Sequence, residues 1–186
     1  MASFARHAAR RRLAAAVVAL GLAITAVFVL AYFQPQDLFI NHTVDQARPA
    51  GAVAVAGQGS FHSGEHATTG LAQLLGFPGG LTTLRLAPFR TSNGPAVHVW
   101  LSAAAPGAAN GTVAGSAHLD LGGLKGNIGA QNYPVPRAAD LGRYRTVVIW
   151  CERFSVTFGY APLTRAATGG EGWMHRSLPT VAEPSR

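Results

Sequence analysis

Residues 13–33 carry no charged side chain. At ~1.5 Å rise per residue such a run makes a helix ~30 Å long, the thickness of a bilayer core. The pattern therefore predicts one transmembrane helix. Pro35 closes it, because proline disfavours helix at the residue before it and lacks a backbone donor. Beyond residue 51 the period changes. Val97, Val99 and Leu101 fall on one face of a segment whose other face holds His98 and Trp100, the alternation of a half-buried strand. Residues 117–121 alternate in the same way, and 81–86 mix apolar and polar positions as such strands do. Residues 145–150 and 154–160 read as the two clearest strands. Seven or eight short strands at ~8–12-residue spacing predict an all-β domain, a single antiparallel β-sandwich. No segment after residue 33 shows helical periodicity over three turns.

The pattern divides the chain into a basic N-terminus (1–12), the helix (13–33), a linker (34–50), the β-sandwich (51–164) and a disordered tail (165–186). The 103–116 stretch, small and Gly-rich, reads as a flexible loop. Turn residues dominate 122–129, which reads as a hairpin or a wide connection between strands.

Charge adds orientation. Arg6, Arg10, Arg11 and Arg12 precede the apolar run, and no acidic residue does. By the positive-inside rule that end stays in the cytoplasm and the C-terminal domain is extracytoplasmic. The expected location is the cell membrane, single-pass. A cleaved signal peptide is the rival reading. Its apolar part spans ~7–15 residues and ends small-x-small, whereas this run ends in Phe28, Leu30, Tyr32 and Phe33, which favours a retained anchor. The net charge of +7 does not mark a nucleic-acid partner. Once the four arginines are set aside, 11 basic residues stand against 8 acidic ones, with no basic stripe beside aromatics. Arg137, Arg143, Arg145 and Arg153 read as a solvated strand edge and loop.

Candidate chemistry centres on Cys151, the only cysteine. It cannot form an internal disulfide. It is either a small core hydrophobe or a thiol held for chemistry, since free cysteine is among the most buried residue types. Arg153, two residues on, shares its face if the strand continues, whereas Glu152 beside it opposes thiolate formation. His62-Ser-Gly-Glu-His66 spells the inverted zinc-peptidase motif, but that chemistry needs a helix and Gly64 argues against one. His62, His66 and Cys151 remain candidate metal ligands, because two imidazoles and a thiol suit a transition metal. His98 and His118 lie on separate strands and could join them. There is no C-x-x-C-H haem-attachment motif, phosphate loop, dinucleotide fingerprint or nucleophile elbow. Glu65, Asp120, Asp140 and Glu152 are spread along the chain, a thin acid–base supply that argues against a stand-alone enzyme.

Several phrases occur in a familiar order: Gly59-Ser-Phe61, His66-Ala-Thr-Thr-Gly70, Leu84-Arg-Leu-Ala-Pro-Phe-Arg-Thr91 and Gly94-Pro-Ala-Val-His-Val-Trp-Leu-Ser102. They continue through 121–136 and Val147-Val-Ile-Trp-Cys-Glu-Arg-Phe-Ser-Val-Thr-Phe158. Over about residues 51–164 the chain resembles the DM13 domain family. The resemblance implies an extracellular β-sandwich and an electron-transfer role, proposed for the family from the cysteine that corresponds to Cys151. Ala96 stands where an acidic residue is expected and Trp100 where tyrosine is usual. Two function classes stay open. One is a redox module with Cys151 as its thiol, haem or a transition metal as a conceivable cofactor, and a redox or cell-surface protein as partner. The other is a non-catalytic binding or envelope-structural module with Cys151 in the core.

Overall fold

A computed structural model describes residues 2–33 and 41–165, so the 166–186 tail and most of the first half of the linker lie outside the described residues. Helix α1 (Ala2–Phe33) comes first. Over Arg10–Tyr32, 23 residues with a mean hydropathy of 2.7, it is long and apolar enough to cross a membrane; a signal sequence near an N-terminus passes the same test. Over Arg10–Tyr32 its apolar side chains are exposed, as those of a helix solvated by lipid are.

The rest is two facing sheets. Strands β1 (Thr43–Asp45), β2 (Ala54–Ser60), β4 (Thr69–Gly76), β5 (Thr82–Arg90), β8 (Ile128–Val135) and β11 (Thr164–Arg165) form one sheet in the order β1-β8-β5-β4-β2-β11. Strands β3 (His62–Ser63), β6 (Val97–Ser102), β7 (His118–Gly123), β9 (Thr146–Cys151) and β10 (Val156–Pro162) form the other, in the order β3-β10-β9-β6-β7. Pairing is antiparallel except for β1 against β8. The β-sandwich is as expected. The strand count exceeds seven or eight because β1, β3 and β11 are two or three residues long, too short for alternation to register. Strand β1 comes from the segment expected to be linker.

The alternation holds where it was strongest. Val97, Val99 and Leu101 enter the main core with Val147, Ile149 and Cys151. The six-stranded sheet meets them with Leu74, Leu84, Leu86 and Tyr133. Every residue of β9 is buried, so its near-continuous apolar sequence serves two faces. The outward set, Val148 and Trp150, packs with Trp100, Ala104 and Val113 into a second, smaller core. Val113 belongs to a six-residue helix, α2 (Asn110–Gly115). The 103–116 segment thus contains a helix, one turn and a half long, which shows no three-turn periodicity and is stabilised by the tryptophans beneath it. The 122–129 segment is the wide connection rather than a hairpin, because β7 and β8 belong to different sheets.

Tight turns explain the glycines that matter. Gly79 and Gly80, between β4 and β5, have φ of 74° and 76°, a region that costs other residues about 1–2 kcal/mol. Gly159 lies under Thr68, so that a Cβ there would collide with the threonine side chain.

Candidate functional site

Cys151 closes β9, opposite Val97 on β6 and Val156 on β10. Its side chain points to the inner face and is fully buried. The thiol donates to the Pro95 carbonyl, with Sγ 3.2 Å from the oxygen. The next backbone N–H, of Glu152, donates to the Ala96 carbonyl at 3.0 Å. The Gly94-Pro95-Ala96 turn is thereby fastened to the end of β9. Ala96 holds φ at 50°, in the left-handed region.

The strand ends at Cys151, and residues 152–155 form a turn, so the shared face expected for Cys151 and Arg153 does not arise. Arg153 places its guanidinium 3.9 Å over the Tyr32 ring instead. A haem on Cys151 does not fit these surroundings: the sulfur has a partner, its face is packed by Val97, Ile149 and other core side chains, and it is not a wall of either cleft described below.

His62, His66 and Cys151 are not brought together. Among the described residues the group of metal-ligating atoms lying within 4.8 Å of one another is His98, Asp120 and Glu152. His62 is exposed on the edge strand β3 and stacks on Tyr160, ring centroids 5.5 Å apart. His66 lies 3.8 Å from the Phe158 ring. Between them the chain bends, with the N–H groups of Gly64 and His66 donating to the Phe158 carbonyl; no helix forms there. Ser63, Glu65, Asn110 and Tyr160 line a cleft of about 400 Å³ at this edge.

The outer face of the five-stranded sheet holds the arrangement that sequence reasoning missed. His98 on β6 sits across from Trp150 on β9. Its Nδ1 is 2.8 Å from Asp120 Oδ2 on β7, and its Nε2 is 3.7 Å from Glu152 Oε2. Asp120 is oriented by a second bond, in which its Oδ1 accepts the Gly122 N–H at 2.8 Å. Beside this group Trp100 stacks between His118, at 3.9 Å, and Trp150, at 4.9 Å. Neither His98 nor His118 joins His62, His66 and Cys151; one faces carboxylates and the other a tryptophan. His98 also lines a cleft of about 310 Å³ with His42, Asn93, Gly94, Lys125 and Asn127. Alternation put His98 on the outer face; only register could bring Asp120 and Glu152 to it.

Residues 60–163 match the family model described as electron transfer DM13. No curated protein and no solved structure matches the chain.

Proposed function

The chain belongs to the DM13 family, whose model covers more than half of it, and on that premise we propose a membrane-anchored, extracytoplasmic electron-transfer module with Cys151 as its redox thiol. Residues 1–12 stay in the cytoplasm, 13–33 span the bilayer and 51–164 form the exported domain. The family description supports the redox class. The apolar helix with four preceding arginines supports the anchor and its orientation.

One observation carries the role of Cys151: the only thiol in the chain bonds to a single short turn, 94–96. The thiolate is the nucleophile in exchange chemistry, and the closed fold hides it. The turn must therefore lift before the sulfur reacts. The thiol then loses its proton to solvent and attacks a disulfide on the partner protein. A bond forms to the near sulfur and the far sulfur leaves as a thiolate. A thiol of a second, reduced partner then attacks Cys151 Sγ and releases the first partner's remaining thiolate. That second partner's other thiol closes its own disulfide and frees Cys151, so two electrons pass from the second partner to the first.

The full burial of the sulfur favours a second reading, a non-catalytic binding or envelope-structural module with Cys151 as a core residue. Native-state labelling of the full chain in detergent with a thiol reagent separates the two. The redox reading expects labelling through local opening, at a rate that exceeds global unfolding and barely responds to mild denaturant. Labelling only at the rate of global unfolding leaves the second reading.

A further inference from the structure

We infer that His98, Asp120 and Glu152 form a binding site for a divalent first-row transition cation, a site that needs no thiol and goes beyond the redox reading. The three residues come from β6, β7 and the turn after β9, and their side chains are 24 %, 37 % and 47 % exposed. Among the described residues neither carboxylate has a lysine or arginine within 4.0 Å; the basic side chain each faces is the imidazole. Lys125, on the wall of the same cleft, is turned to the Asn132 carbonyl at 2.6 Å. Two carboxylates without a cationic partner leave negative charge that a metal ion would neutralise.

The geometry assigns each atom. Asp120 is held by the Gly122 N–H and takes the Nδ1 proton of His98 at 2.8 Å. That bond selects the tautomer whose Nε2 lone pair faces Glu152. The Nε2–Oε2 separation of 3.7 Å is too long for a hydrogen bond. It matches two ligands each ~2.1 Å from a shared ion, at an angle of roughly 120°. Asp120 is then the positioning carboxylate of a carboxylate–histidine–metal arrangement, and His98 and Glu152 are the direct ligands. Nitrogen and carboxylate oxygen together suit Zn²⁺, Co²⁺, Fe²⁺ or Mn²⁺ rather than a thiolate-seeking ion. Two protein ligands leave coordination positions open toward the cleft that His98 lines.

The test uses the metal-stripped full chain in detergent, titrated with Zn²⁺ by calorimetry and with Co²⁺ by visible absorption. One site is expected, with a Co²⁺ spectrum free of thiolate charge transfer. Binding should fall by about 100-fold or more in His98→Ala and in Glu152→Gln, and by about 10–100-fold in Asp120→Asn. It should be unchanged in the His62→Ala, His66→Ala double variant. Circular dichroism confirms that each variant is folded, and the loss in Asp120→Asn, which keeps both direct ligands, is the readout that a simple ligand deletion does not supply. No binding by the parent chain, binding that survives His98→Ala with Glu152→Gln, or loss in the His62/His66 variant overturns the proposal. None of these outcomes bears on Cys151, whose labelling is read separately.

Discussion

The two faces of β6 and β9 arise from one alternation of residues, yet they are different materials. Inward, Val97, Val99, Leu101, Val147, Ile149 and Cys151 meet a second sheet and are sealed. Outward, the same strands carry His98, Trp100, Val148 and Trp150, with Glu152 just beyond. Half of that face is roofed by the 104–113 segment and half is left open, where His98 meets its two carboxylates. What covers a side chain, more than its type, decides its role. The thiol, chemically the most reactive group, lies on the sealed face. Three common polar residues on the open face are the ones poised to take a ligand.

The comparison breaks most plainly through core truncation. Ile149→Ala, on the sealed face, should cost about 2–5 kcal/mol, because the facing sheet relaxes little around the cavity. Val113→Ala, in the roof of the outer face, should cost about 1–2 kcal/mol, since fewer methylenes are lost and a short surface helix can settle. Denaturant unfolding of the full chain in detergent measures both, and equal losses would erase the distinction between core and roof.

A smaller effect comes from Tyr133, the phenol in the sealed core. It donates to Gln131 Oε1 at 2.7 Å and accepts from the Lys125 N–H at 3.1 Å. Burial pushes its pKa up from 10.0 to about 12, against the lowering effect of the Lys125 N–H. The folded state then holds the proton more tightly than the unfolded state. The stabilisation is complete below about pH 10 and is lost as pH rises through about 12, with a total of about 3 kcal/mol. Unfolding free energies measured from pH 9 to 12 should fall along this course, and Tyr133→Phe should flatten it. A slope unchanged by that variant would mean that the phenol is not sealed.

The smallest effect sharpens the boundary between the faces. Ala96, in the turn bonded to Cys151 and Glu152, has φ of 50°. Ala96→Gly removes a left-handed cost of about 1–2 kcal/mol and adds unfolded-state entropy of similar kind. The net expectation is a gain of up to about 1 kcal/mol in thermal unfolding. A loss of stability would show that the alanine methyl contributes packing there that outweighs its backbone cost.

Much of the fold was legible because its signals are local. The uncharged 13–33 run, the parity of Val97, Val99 and Leu101 against His98 and Trp100, and the doubly apolar 145–150 strand each need only neighbouring residues. The face of Cys151 was left open by the sequence, and the structure turns it inward with Val147 and Ile149. The 110–115 helix was not legible, because a helix of six residues has no period to read and depends on the tryptophans below it. The His62, His66 and Cys151 grouping was a matter of residue types alone, and nothing local sets distances between an edge strand and the core.

The amino-acid sequence by itself therefore determined an apolar N-terminal helix, a two-layered β domain and the DM13 resemblance, since these rest on an unbroken apolar run, a period of 2 and contiguous phrases. The tertiary structure alone decided which polar groups meet. His98 and Asp120 are 22 positions apart, and Glu152 arrives from the turn after β9. Their meeting depends on strand order and on the bulged register between His98 and Trp100, properties of long-range pairing that no local pattern encodes.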